Sequence, residues 1–549
     1  MNRRNFLRLN MSLFSIYASS YIIGCGDTST NNSTTTNTNS ASNKALINTT
    51  SLSKRPESGS FDIIIENTIP SDLKGTLYRN GPSIFERNGV RKNHILDGDG
   101  FITALNISDS KATFKGEFVK TSKFIAEENA GEFLFDTWDF ANQNNNIGIL
   151  STDNDSNQSS VSVKYIDGTL YTFDESAPPY LIDTNDLSAK LAPDPFAKLY
   201  LHSAHGKKDS VNGDFVNFGI QYGDPTAQGL KKLYHYLHIS IINKNKIKFY
   251  KKIELGGILN NNRLDGLYFH DFFITKNYII FNLQPLFSDI RSVYPINKEF
   301  GEEETSLAGS YRWDEKVKNK IVVADRHNPK ADVVVIDTPS TKAWWHSSNA
   351  YEEDNKIILD FITYDKFDFF DKKTNSVANI ATGSINEKLI GTNDGYPTRH
   401  IISLSEKSAQ TGSYTKGTFV SEDILNKKFA CEFSTINNAY LTKKNNFFYA
   451  AIADNGSLNG IGRFNNKTNN WDGAYLFPKY YTCGEPIFCP KDNSINEDDG
   501  YLISTVHNLK EELSFVAIFD SKNVSKGAVA KVHLNTSLPM RLHGEWVGE

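Results

Sequence analysis

The sequence predicts an all-β protein built as a β-propeller, and three observations predict it. From Phe61 onward, short runs rich in Val, Ile, Tyr and Phe alternate with Gly, Asn and Asp, with almost no long helical period. Runs of that length and composition, bounded by turn residues, read as strands and hairpins. No second Ser/Thr-rich linker divides this stretch of nearly 500 residues, which exceeds a usual sandwich. Radial repetition of four-stranded blades is the natural way to build so large an all-β body. Third, histidines in marked local settings stand at positions 205, 270, 346 and 543. Inner strands of different blades all face one axis, so residues this far apart in sequence can meet there. No clean fixed-length repeat is present, so the propeller rests on size, strand pattern and the spacing of these histidines.

Along the chain, the first segment is an address rather than structure. Asn2-Arg3-Arg4-Asn5-Phe6-Leu7-Arg8 resembles a twin-arginine export signal, and a mostly apolar stretch, Leu9 to Gly24, follows. That stretch is too short for a comfortable membrane span. It ends in Ile22-Ile23-Gly24-Cys25, which resembles a bacterial lipobox. Residues 1–24 are therefore expected to be a lipoprotein signal peptide, with Cys25 lipidated after cleavage; the alternative is an ordinary secretory signal that happens to contain a cysteine. Residues 25–55, rich in Ser, Thr and Asn, are expected to form a disordered tether, because so little apolar surface cannot offset ordering entropy. Residues 56–549 then form a single propeller domain. This organisation predicts an exported lipoprotein, anchored to a membrane and facing the periplasm or the cell exterior.

Within the domain, the expected strands include Ser160–Tyr165, Thr169–Phe173 after an Asp167-Gly168 turn, and Tyr180–Asp183. Further along are Tyr278–Leu283, Asp332–Asp337, Lys356–Ile362 and Phe447–Ile452. Beyond Cys25 the cysteines are Cys431, Cys483 and Cys489, an odd number that gives no disulfide framework. A Cys483–Cys489 bridge and burial as free thiols both remain open. A net charge of −5, with no basic block beyond the first eight residues, argues against nucleic-acid binding. The 36 Phe and 25 Tyr supply aromatic surface for a core or for an apolar substrate tunnel.

The four histidine segments are Ser203-Ala204-His205-Gly206, Tyr268-Phe269-His270-Asp271-Phe272, Trp344-Trp345-His346-Ser347 and Leu542-His543-Gly544-Glu545-Trp546. Neutral imidazole is the commonest transition-metal ligand, and four of them suit iron, copper, nickel or zinc. The chain has no HExxH or CxxC pair, so the fold must assemble such a site. The other eight histidines read as structural or exposed. His202 stands three residues before His205, which on a strand puts it on the opposite face. His235 and His238 are split between two faces by the same spacing.

These segments carry a resemblance. Gly75-Thr76-Leu77-Tyr78-Arg79-Asn80-Gly81-Pro82, His94-Ile95-Leu96-Asp97-Gly98-Asp99-Gly100, the four histidine segments in order, Gly484-Glu485-Pro486-Ile487-Phe488 and Glu497-Asp498-Asp499-Gly500 together resemble the carotenoid cleavage oxygenase family, which includes stilbene-cleaving enzymes. The resemblance runs from about Leu73 to Trp546. It implies a seven-bladed β-propeller whose axis holds one non-haem Fe(II), with His205, His270, His346 and His543 as ligands. It also implies three supporting glutamates, Glu175, Glu432 and Glu485, and one ligand without such a partner. A carboxylate accepting the free N–H of a ligand imidazole fixes its tautomer and raises its basicity. Local departures are Gly206 in place of proline, Glu-Phe-Ser around Glu432, and Ser159–Ser162 in place of an Asn-Thr-Asn element.

The implied reaction is cleavage of an alkene C=C bond by O2, with no catalytic side chain beyond the metal centre. The implied substrate is an apolar polyene, a carotenoid or apocarotenoid; the alternative is a stilbene-like phenolic. Stilbene-cleaving relatives hold the phenol with a tyrosine and a lysine, and Lys120, Lys123 and Lys164 lie in the broad region. A further alternative is a non-catalytic, ligand-binding propeller lipoprotein. The aromatic stretch Asp365–Asp371 could line a tunnel mouth or anchor a loop. Oligomeric state is not encoded in any pattern here.

Overall fold

The computed structural model describes residues 46–92, 94–138, 156–175, 177–199, 201–222, 235–256, 258, 266–288, 306–369, 383–386, 394–454, 458–492 and 494–549. The expected signal peptide, Cys25 and most of the expected tether lie outside these residues. Among them the chain is mostly β-strand, as expected, with short helices such as Ser122–Ala130. That helix starts where the Thr121 hydroxyl accepts the Phe124 N–H, and ends at Gly131 in the left-handed region.

Several expected strands form with nearly the predicted bounds. Thr169–Phe173 and Tyr278–Leu283 match, while Lys356–Tyr364 and Phe447–Ala453 extend slightly further. Tight hairpins give the sheets their meander. Asp109-Ser110, Asp167-Gly168, Lys244-Asn245 and Asp354-Asn355 each have positive φ at both turn residues. Such two-residue loops match the right-handed twist of the strands they join.

Seven sheets carry four or more strands among the described residues, and most join consecutive strands. Two of them interlock the ends of the domain. Gly544–Gly548 pairs with Gly75–Arg79, and Ile63–Glu66 pairs with Ala530–Leu534. Apolar clusters fill the space between sheets, and the largest is rich in aromatic side chains and reaches the histidines.

The tether ends earlier than expected. Leu46–Asn48 pairs with Ser384–Asn386, residues 50–53 form a 3-10 turn, and Leu52 is buried with its carbonyl accepting the Met540 N–H. Leu46, Ile47 and Leu52 interrupt the polar composition there, and Leu52 is enough to dock the turn. The folded body thus takes in the ten residues from 46 to 55 that composition had placed in the tether. Cys431, Cys483 and Cys489 are buried free thiols, so there is no Cys483–Cys489 bridge.

Candidate metal centre

Each of the four histidines sits where a strand begins, ends or bulges. His205 occupies a turn before the short strand Lys207–Lys208, and its N–H is held by the Ser203 hydroxyl. His270 lies between the strands Gly266–Leu267 and Phe273–Ile274. His346 lies in Ala343–Glu353, at a bulge that shifts its pairing with Lys356–Tyr364. His543 immediately precedes Gly544–Gly548. Gly206 explains one departure from the family pattern: a Cβ there would lie 2.2 Å from the Phe215 ring.

The fold brings all four together. Their candidate donor atoms lie within 4.8 Å of one another, and all four side chains are buried. The ring centroids of His205 lie 4.1, 5.1 and 4.7 Å from those of His270, His346 and His543. The Nε2 atoms of His205 and His270 are 2.7 Å apart.

Three imidazoles are oriented from behind by carboxylates. His270 Nδ1 lies 2.9 Å from Glu175 Oε2, His346 Nδ1 2.5 Å from Glu432 Oε2, and His543 Nδ1 3.1 Å from Glu485 Oε1. Glu485 Oε2 also accepts the Gly544 N–H at 3.0 Å. Each carboxylate takes up an Nδ1–H, so the Nε2 lone pairs turn inward. His205 has no such partner among the described residues.

Electrostatics follow from burial and these pairs. Burial pushes the Glu485 carboxyl upward, but the His543 charge and hydrogen bond outweigh it and bring the pKa to about 2. Glu175 is likewise lowered despite burial, chiefly by His270. Burial works to lower His346, yet Glu432 raises it above the ordinary value. Burial and the neighbouring imidazoles hold His205 well below that value. A compact set of four converging imidazole nitrogens suits a transition-metal cation. His346 Nε2 adds an independent sign: it is buried, faces the cluster and has no hydrogen-bond partner among the described residues.

Two unlike surfaces flank the cluster. One is aromatic: Trp345 meets the His270 ring edge-on at 4.4 Å, and Phe433 lies 5.2 Å from His346. Phe433 has φ of 56°, an uncommon conformation for a bulky residue and one found at functional sites. Tyr268 donates to Glu175 Oε2 at 2.7 Å, giving that carboxylate a second donor besides His270. Phe367 and Phe369 pack on Trp345, so the described part of Asp365–Asp371 backs this wall. The other surface is mostly polar, a cavity of about 140 Å³ lined by Lys164, Lys207, Asp271, Ser347 and Glu545 beside three of the histidines, with Phe433 shared between the two surfaces.

The remaining histidines keep apart from the cluster. His202 bonds the Phe196 carbonyl, His235 is buried and His238 pairs with Gln221 and Tyr250 on the other face. His94 accepts the Leu96 N–H and stacks on Trp138. Of the three lysines considered, Lys123 is buried between Asp99 and Glu127, Lys120 pairs with Glu117 at the surface, and Lys164 faces the polar cavity. The residues that sequence reasoning did not single out are Tyr268, Trp345, Phe433, Asp271, Lys207 and Ser347. Most adjoin a histidine or glutamate of the site, which was the available signal.

The chain is thus a mostly β protein with a buried four-histidine site braced by three glutamates. Residues 54–548 match the family described as retinal pigment epithelial membrane protein, RPE65. The chain belongs to this RPE65/carotenoid cleavage oxygenase family. It is 26% identical over 525 residues to carotenoid 9,10(9',10')-cleavage dioxygenase 1 of Arabidopsis thaliana, covering 89% of this chain and 87% of that one. It is 25% identical to isoeugenol monooxygenase of Pseudomonas nitroreducens, covering 91% and 97%. Solved structures of Synechocystis apocarotenoid oxygenase match with a TM-score of 0.73, covering 91% of this chain and 98% of that one; a variant is 22% identical and the cobalt-substituted form 21%.

Proposed function

We propose that this protein is a non-haem Fe(II) dioxygenase that cleaves one C=C bond of an apolar polyene, a carotenoid or apocarotenoid, with O2. One alkene and one O2 give two carbonyl products, so no further reductant is needed. The observation that carries the reading is the set of four buried imidazoles, three held at Nδ1 by carboxylates, beside an aromatic wall. His205, His270, His346 and His543 would hold the iron. The bound metal would supply the activation of O2, and the protein supplies alignment and charge.

What the chain's own residues do follows from their placement. Glu175, Glu432 and Glu485 fix the tautomers of three ligands and offset the cation's charge. Trp345 and Phe433 exclude water and offer flat apolar surface to a conjugated substrate. No Ser-His-Asp arrangement or paired-carboxylate signature is needed. The seven larger sheets are read as seven blades around the histidine axis.

A phenylpropanoid substrate is the second reading, favoured by the 97% coverage of isoeugenol monooxygenase. We also propose that residues 1–24 direct export and that Cys25 carries the lipid anchor. Labelling with a fatty-acid analogue, abolished in Cys25→Ala, supports this; equal labelling of both proteins refutes it.

The test of function is metal analysis of protein lacking residues 1–43, beside His346→Ala. Stoichiometric iron, lost in the variant, is expected. Cleavage under 18O2 should then place label in both carbonyl products of a polyene or of a phenylpropanoid, which separates the two substrate readings. No iron after anaerobic Fe(II) loading of folded protein leaves a ligand-binding propeller as the function.

A further inference from the structure

Three of the four histidines are closely followed by polar residues that meet one another. Lys207 stands two residues after His205, Asp271 one after His270, and Ser347 one after His346. The Lys207 ammonium lies 2.8 Å from Asp271 Oδ1 and donates to Ser347 Oγ at 2.9 Å. The Ser347 hydroxyl and backbone N–H both donate to Asp271 Oδ2, at 2.6 and 2.7 Å. The Phe272 N–H donates to Asp271 Oδ1 at 2.7 Å, so both carboxylate oxygens are satisfied.

The arrangement spans three sheets. Lys207–Lys208, Phe273–Ile274 and Ala343–Glu353 belong to three different ones, and the Lys207–Asp271–Ser347 contacts join them beside the histidines. The bulge at Ser347 makes the link specific. Pairing with the neighbouring strand shifts on both sides of Ser347. A bulge disrupts the ladder locally and re-aims a side chain. Here Asp271 takes up the Ser347 N–H, and His346 faces the cluster. Asp271 therefore relates the positions of His270 and His346 through one carboxylate. His205, the ligand with no carboxylate of its own, is tied to the same group through Lys207.

We propose that Lys207, Asp271 and Ser347 are positioning residues: a clasp that sets the spacing of His205, His270 and His346 before a metal arrives. The proposal rests on the reading of the four histidines as a metal site. Stability alone is a poor explanation for such a group, because an ion pair withdrawn in large part from water is often no more stabilising than apolar residues of equal volume. A fixed geometry between three chain segments is what this one adds.

The test uses Lys207→Met, Asp271→Asn and the double variant in the protein lacking residues 1–43, with Co(II) as the metal. Each single variant leaves one charge unpaired, the buried Asp271 or the half-buried Lys207, whereas the double removes both charges at nearly constant shape. Melting of the metal-free protein is measured first, then Co(II) titration by visible absorption. The double variant should melt close to wild type, bind Co(II) about ten- to a hundredfold more weakly and show an altered spectrum. Ser347→Ala, which keeps both charges, should shift affinity in the same direction and serves if the double variant does not fold. A folded variant with wild-type affinity and spectrum overturns the clasp. A wild-type protein that takes up neither Co(II) nor Fe(II) overturns the metal reading itself, and the clasp with it.

Discussion

The two surfaces around the histidines differ in what they ask of the chain. The aromatic wall is built from large rings, Trp345, Phe433, Tyr268 and those behind them, whose value is area and shape. The polar side is built from Lys164, Lys207, Asp271, Ser347 and Glu545, whose value is a set of directed bonds. Rings tolerate small displacements; a carboxylate holding donors at 2.6 to 2.8 Å does not. The difference teaches that apolar surface and the bracing of the histidines are carried largely by different residues around one centre, so on the proposed function substrate contact and metal binding should be separable by mutation.

Trp345→Ala should make the largest difference. Loss of a buried ring of that size costs about 3–5 kcal/mol of stability. Polyene turnover should fall steeply while metal content stays stoichiometric. Loss of metal together with turnover, in protein still folded by melting, would break the division between the two sides. Glu485→Gln should act in the opposite sense. Metal affinity should drop about ten- to a hundredfold, with substrate KM little changed in metal-saturated enzyme.

Acid offers a third probe, set by histidines away from the centre. Burial pushes His202 down to about 4, and His235 and His507 to about 3. In the unfolded chain these groups take up protons near 6.5, whereas the folded protein resists. Their contribution is therefore fully present above pH 6.5 and declines as pH falls toward 4 and then 3. The decline should be on the order of 1 kcal/mol per pH unit for each histidine. Urea titrations between pH 7 and 4, before and after removal of metal, would show whether this slope belongs to the scaffold or to the centre. Smallest of all should be Lys164→Met. Burial already raises the pKa of its partner Glu545, which can take up a proton when the lysine is gone. Polyene KM should stay within about twofold, and a large rise would place substrate on the polar side.

Much of the architecture was legible because hairpins write themselves locally. Tyr278–Leu283 is a short apolar run between turn residues, and its bounds are those expected. The four histidines and three glutamates were legible through motifs, and the geometry brings all seven together. The rest depended on tertiary placement. The Phe101–Ser108 and Gly544–Gly548 strands flank Gly75–Arg79, and no local pattern pairs residues so far apart. The clasp has the same character: a lysine, an aspartate and a serine are common surface residues until three sheets converge. The tether was misjudged at its end because mean composition hid Leu52.

The pairing of Gly544–Gly548 with Gly75–Arg79 also imposes an order on synthesis. His543 emerges from the ribosome after His205, His270 and His346, and its sheet lacks that strand until then. A nascent chain stopped short of it holds three of the four imidazoles and leaves Gly75–Arg79 without a partner on one side. Completion of the imidazole cluster and of that sheet therefore become one late event, and a chain that stops before His543 forfeits both together.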